Sequence, residues 1–259
     1  MQLIYANWSE VSTYLTKSTA IIVPIGSTEQ HGPIGLLGTD TITAEAVALG
    51  VGERSGALVG PTLGLSVAQF NLGFPGTISL RATTLMAVIN DYVLSLRSQG
   101  FERFYFINGH GANIAVAKAA FQDIYAKWSL GSMTGQSPRC RLRSWWDYPK
   151  ADELRKLWYG TAEGMHATPS EIAITLHLLP GSAWKASNQA LSVPAQLPVE
   201  FLRDHGGDNH WDAQTHQAAF PDGRVGSDSA LATAKQGQLL LAAAVEDGCE
   251  DFAAFKTEA

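Results

Sequence analysis

Glu29 and His31 stand two apart in the run Glu29-Gln30-His31-Gly32-Pro33. In extended backbone, residues two apart project to one side, so a carboxylate and an imidazole would converge on one point. Asp40 follows in Gly38-Thr39-Asp40, and His110 lies in Asn108-Gly109-His110-Gly111-Ala112-Asn113. Neutral imidazole suits zinc, and carboxylates suit zinc or manganese. A carboxylate can also bridge two ions, and such a pair holds a hydroxide and polarises a carbonyl. Glu29, His31, Asp40 and His110 together form a candidate divalent-metal set. Each also has a plainer reading: a hydrogen-bonded loop histidine, a solvated acid at Glu29, an N-cap at Asp40.

His166-Ala167-Thr168-Pro169-Ser170-Glu171 supports two readings. Thr168 with Glu171 three later matches a capping box, and Pro169 fits the first helical position. Spacing alone favours the cap, and a Glu171 folded back onto the backbone would not reach a metal. His166 is a candidate proton shuttle. Trp145 and Trp146 fall at a strand end, where alternation would turn one of them towards a pocket. The Asn-Gly-His-Gly loop lacks GxGxxG and GxxxxGK[ST], so a nucleotide site is disfavoured. No GxSxG elbow occurs, and neither cysteine sits in a nucleophile arrangement.

Alternating elements must position these groups. Ala20 to Ile25, Ala57 to Val59, Arg103 to Ile107 and Cys140 to Trp146 read as strands. Helices are expected from Thr41 to about Arg54, from Thr83 or Thr84 to Leu96, and from Asn113 to Trp128. Further helices are expected over Glu171 to Leu179, and once or twice between Asp228 and Phe255. This alternation implies an α/β fold with a mostly parallel sheet and helices on both faces. Ligands in such folds sit beyond the carboxyl ends of the strands, where the Glu29, His110 and Trp146 loops fall. The span 181–226 reads as irregular, and its length suggests a site lid or an oligomer contact. One domain is expected over 1–259.

Composition narrows the partners. The 259 residues carry a net charge of -6, with no basic stripe, so nucleic acid is not expected. No apolar run reaches membrane-spanning length, and the amino terminus lacks a basic, apolar leader. Two distant cysteines, Cys140 and Cys249, suggest a reduced compartment, the cytoplasm.

Together these segments resemble the creatininase (creatinine amidohydrolase) family. The resemblance rests on Val23 through Pro33 with Gly38-Thr39-Asp40, on Gly73-Phe74-Pro75-Gly76-Thr77-Ile78-Ser79-Leu80, and on Asn108 through Asn113. Trp146-Asp147-Tyr148, His166 through Glu171 and Gly226-Ser227-Asp228 are weaker echoes. It implies a three-layer α/β/α sandwich, a binuclear centre of zinc and/or manganese (iron being a further candidate), and hydrolysis of a C–N bond in a small amide. It also implies a homo-hexamer. Glu29 and His31 would then bind different metals, Asp40 would bridge them, and His110 would ligate the first. His166 would be catalytic, and Trp146, Gly111 and Glu163 would face the substrate. Creatininase has Tyr-Glu where this chain has Gly111-Ala112, and that glutamate ligates the second metal. Many relatives use instead the glutamate five residues after the catalytic histidine, here Glu171. A second pocket tryptophan falls at Ala162, and Asn71 stands where many relatives have His, so creatinine itself is not the expected substrate. A deformylase or peptidase of the same metal chemistry, or a non-catalytic metal-binding relative, are the alternatives.

Overall fold

The computed structural model describes residues 1–181 and 191–258. Four parallel strands, β1 (Ala20–Ile25), β2 (Leu58–Val59), β3 (Arg103–Asn108) and β4 (Arg139–Ser144), form a sheet in the order β2-β1-β3-β4. The helices are α1 (Trp8–Leu15), α2 (Thr39–Ser55), α3 (Ala82–Arg97), α4 (Asn113–Ser129), α5 (Pro149–Trp158), α6 (Pro169–Leu178), α7 (Val199–Asp204), α8 (Ala213–Ala219) and α9 (Ala234–Thr257).

Strand alternation sorts the core into two halves. Ile21, Val23, Ile25, Phe104 and Phe106 pack with Leu85, Ile89 and Val93 of α3 and Ala117, Ala120 and Ile124 of α4. Ile22, Tyr105 and Ile107 pack on the opposite face with Val47 and Val51 of α2 and Leu240, Phe252 and Phe255 of α9. The result is the expected three-layer α/β/α sandwich. Both faces of the sheet are covered, so its strands read as apolar runs rather than alternating ones. Pro24 sits in the central strand β1, where proline is normally excluded. Its carbonyl accepts from Leu63 N–H on the flank where β2 has already ended, so the missing N–H breaks no ladder bond.

The expected elements are present, with shifted ends. α2 begins at Thr39, so Asp40 lies inside its first turn, and the N-cap is Gly38. α3 begins at Ala82 after Arg81, so neither Thr83 nor Thr84 is its cap. β4 stops at Ser144, and Trp145–Asp147 form a 3-10 turn instead of further strand. α9 is one helix, preceded by a 3-10 turn at Ser229–Leu231. The irregular reading of 181–226 needs correction, since α7 and α8 lie within it. Both are under eight residues, too short to show a clear 3.6-residue period. Part of that span, 182–190, lies outside the described residues. Among the described residues, no helix is long and apolar enough to cross a membrane.

Candidate metal centre

The centre lies beyond the carboxyl ends of β1 and β3, capped by the start of α2. Gly109 makes this approach possible: a Cβ there would sit 2.1 Å from the Asp40 carbonyl oxygen. Asp40 thereby projects between the β1 and β3 loops. Its Oδ1 lies 2.9 Å from His31 Nε2, and its Oδ2 lies 3.2 Å from His110 Nδ1. Glu29 Oε1 is 3.2 Å from the same His110 nitrogen. All four side chains are buried.

Outer hydrogen bonds orient the rings, as is usual for metal-ligating histidines. His31 Nδ1 lies 3.0 Å from its neighbour's carbonyl, Glu29 O, which turns Nε2 towards Asp40. His110 Nε2 lies 2.8 Å from Val67 O, which leaves Nδ1 for Glu29 and Asp40. The loop carrying His110 is fixed by Asn108, whose Oδ1 accepts from His110 N–H and whose Nδ2 donates to His110 O. Asn113 Nδ2 donates in turn to Asn108 Oδ1 and to Gly26 O.

Glu171 forms the cap with one carboxylate oxygen and turns the other towards His31. Its Oε1 accepts from Thr168 N–H at 2.5 Å, and Thr168 Oγ1 receives Glu171 N–H, so the capping box is formed. Its other oxygen, Oε2, lies 3.9 Å from His31 Nε2. A capped glutamate was expected to be out of reach, but a carboxylate has two oxygens and the cap uses one.

His166 approaches from the turn before α6. Its Nε2 donates to Gln30 O at 2.6 Å, which leaves Nδ1 with a lone pair 3.5 Å from Glu29 Oε1. Asn71 lies beside it, its Oδ1 accepting from Gln30 Nε2. Burial, then the neighbouring His31, holds the His166 pKa well below the usual histidine value.

Three overlapping donor groups result: Glu29, Asp40 and His110; His31, Asp40 and Glu171; and Glu29, His31 and His166. Both oxygens of Glu29 and Oδ2 of Asp40 are buried without a hydrogen bond. Buried carboxylate oxygens are costly unless something compensates them. A divalent cation would do so, and the hard oxygen and imidazole donors fit zinc or manganese.

Without a cation, protons take its place. Burial opposes a charge on His31, but Asp40 and then Glu171 outweigh it and raise its pKa to about 10. His110 is raised likewise, burial being overcome by Glu29 and Asp40. Asp40 is held below the usual carboxylate range by His31 and His110 against its own burial. Burial pushes the Glu171 pKa up. The His31 contribution to stability is complete below pH 6.5 and is lost as pH rises towards 10, and ionising Glu171 adds a cost that also grows with pH. Metal binding expels the histidine protons and so tightens with pH. Between about pH 6 and about pH 9, the Tm difference between metal-loaded and metal-free protein should therefore widen, as differential scanning calorimetry would show. A constant gap would contradict protonated, metal-displaceable histidines.

A cavity of about 330 Å3 opens onto Asp40, His110, His166 and Glu171. Gly111 and Trp146 line it, and so does Trp145, whose side chain is otherwise buried in the core. Glu163 points elsewhere: its Oε1 takes Arg155 Nε at 2.8 Å and the Ser170 hydroxyl, and the residue lines a neighbouring depression instead. Sequence reasoning missed Arg155 and Asp208 in the cavity wall. Neither belongs to a motif, and Asp208 falls in the span read as irregular.

The sequence matches the Creatininase family model (creatinine amidohydrolase) over residues 5–252. It is 31% identical over 244 residues to the mycofactocin precursor peptide peptidase of Mycobacterium tuberculosis, covering 89% of this chain and 83% of that protein. It is 35% identical over 112 residues to the creatinine amidohydrolase of Pseudomonas putida, covering 41% of this chain and 43% of that one. The fold superposes on a manganese creatininase with a TM-score of 0.82 at 22% identity, covering 99% and 98% of the two chains. The chain belongs to the creatininase family of hydrolases.

Proposed function

We propose that this chain is a metal-dependent amidohydrolase that cleaves the C–N bond of a small cyclic amide, formamide or related amide at a binuclear centre. The observation that carries the reading is Asp40, whose two buried oxygens face two separate histidines. Glu29, Asp40 and His110 would hold one ion, and His31, Asp40 and Glu171 the other. When bound, zinc or manganese supplies an activated water at neutral pH and polarises the scissile carbonyl. Iron is a further candidate metal.

The residues then divide the remaining work. His166 offers an Nδ1 lone pair to the centre, so it can take a proton from the attacking water and pass it to the leaving nitrogen. The Gln30 carbonyl fixes its tautomer. Trp145 and Trp146 exclude water from one wall, and Gly111, lacking a side chain, leaves room on the other for the Asp208 carboxylate. Glu163 serves the substrate indirectly, by holding Arg155 against the Trp146 carbonyl.

A metal analysis and an amide panel test the reading. Two ions per chain with turnover of cyclic amides or formamides support it; an ion-free, inactive chain would sink it and favour a non-catalytic relative. A second reading, a peptidase of the same chemistry, is favoured by the similarity to a peptide peptidase over most of both chains. Turnover of peptides alone would select it.

His166→Ala should keep both ions and lower kcat by about 10²–10⁴-fold. Because His166 also stands within ligating distance of Glu29 and His31, loss of an ion in that variant would make it a ligand instead. The chain is further proposed to act as one domain in the cytoplasm and to assemble as a homo-hexamer, closed as a trimer of dimers. Light scattering at micromolar concentration should return six chain masses, and a monomer mass would exclude it.

A further inference from the structure

Asp208 stands on the turn between α7 and α8, and its carboxylate enters the cavity over Gly111. The side chain is nine-tenths buried. No hydrogen bond from any described residue reaches it. Two imidazoles stand beside it, His110 Nδ1 at 4.0 Å from Oδ2 and His210 Nε2 at 3.9 Å from Oδ1. A buried carboxylate kept for structure would accept hydrogen bonds, because desolvation without them is costly. This one is aimed instead at the nitrogen that Glu29 and Asp40 also face.

The site is shaped to admit it. A Cβ at Gly111 would come within 2.1 Å of Asp208 Oδ2, so any side chain there would expel the carboxylate. Asp208 itself adopts φ 53°, a left-handed conformation that is uncommon outside glycine but most accessible to Asp and Asn. Two donors bound to one ion at about 2.0–2.2 Å each can be no further apart than about 4.4 Å. Asp208 lies 4.0 Å from His110 Nδ1 but stands outside the donor group of Glu29, Asp40 and His110, a placement that fits contact through one bound water.

We propose that Asp208 is a further carboxylate of the metal centre, acting through one bound water on the ion held by Glu29, Asp40 and His110. The inference rests on the binuclear reading above and adds a residue from a separate, loop-borne element. The centre would then be complete only when the α7–α8 turn is seated on Gly111.

The test strips metal from the loaded, full-length protein with a chelator of known affinity, for manganese(II) and then zinc(II), and reads ions retained per chain. Asp208→Asn keeps the shape and tolerates the same φ. It should weaken one of the two ions by about 10–100-fold and leave the other unchanged. Gly111→Ala should reproduce that loss with Asp208 still present, and should add little in the Asp208→Asn background, because both act on one contact. Unchanged affinities in Asp208→Asn and Gly111→Ala overturn the proposal while leaving the binuclear reading intact. A wild-type chain that retains no ion overturns both. Thermal unfolding of each variant confirms that the proteins compared are folded.

Discussion

Asp40→Asn is expected to abolish hydrolysis and to reduce metal content at both positions. Each Asp40 oxygen faces a different histidine, so the two donor groups have this carboxylate in common. Asparagine keeps one oxygen but replaces the other with an NH2 group, which cannot ligate a cation. One position would therefore lose a ligand outright, and the other would keep a neutral oxygen in place of an anionic one. The metal-free protein offers a second readout. Asp40 is the largest influence raising the His31 pKa to about 10. Removing its charge should bring the His31 titration down, which NMR of the imidazole would report. An N-cap role alone would cost about 0.5–2 kcal/mol of stability and touch neither readout. Because Gly38 is the cap, even that cost is not expected from capping. An Asp40→Asn protein with two tightly held ions and normal turnover would refute the bridge.

How far the sequence reveals this arrangement depends on what each residue's neighbours are. β1 and β3 are legible because both are short apolar runs closed by polar loops, buried on both faces. Glu29 and His31 are legible as a pair because two-residue spacing gives a common direction. The structure realises this through a hydrogen bond from the His31 ring to the Glu29 carbonyl as well as through spacing. His110 and Asp40 are close in space and distant in sequence. Their meeting depends on the close contact at Gly109, which no periodicity encodes. α7 and α8 escape detection for a different reason: a helix under two full turns repeats its apolar stripe too few times to be distinguished from a loop. Asp208 is hidden with them. The two tryptophans do differ in burial, Trp145 in the core and Trp146 partly exposed, but a 3-10 turn rather than strand alternation separates them.

The capping motif before α6 is read correctly, and the cap leaves one carboxylate oxygen free. Thr168, Pro169 and Glu171 form the box that their spacing predicts. The inference that a capping glutamate is unavailable to a metal treats a carboxylate as a single acceptor. In the structure, Oε1 receives the Thr168 N–H and Oε2 turns to His31. The cap fixes the rotamer and so aims the free oxygen. With Glu171 as the proposed ligand, helix capping and metal binding would be coupled through one side chain.

Glu171→Gln and Glu171→Ala separate these two duties. In Glu171→Gln the amide oxygen takes over the Thr168 N–H, because only an acceptor can satisfy that donor. The NH2 group is then forced into the place of Oε2, beside His31 and Asp40. It can donate to Asp40 but cannot bind a cation. The helix start is preserved while the second ion is left with His31 and Asp40 alone, few protein ligands for a tightly held divalent cation. The expected result is near-normal thermal stability of the metal-free protein, loss of about one ion per chain, and loss of most activity. Glu171→Ala should show the same metal and activity losses. In addition, its metal-free form should unfold more readily by about 1 kcal/mol, the typical worth of a helix cap. Burial of the glutamate works against that difference, since removing a carboxyl whose ionisation burial disfavours returns some stability above neutral pH. The comparison should therefore be made near pH 6, where the raised pKa leaves Glu171 largely protonated. Glutamine with full metal occupancy and full activity would leave Glu171 as a helix cap only, and would pass the second position to His166, which shares a donor group with His31 and Glu29.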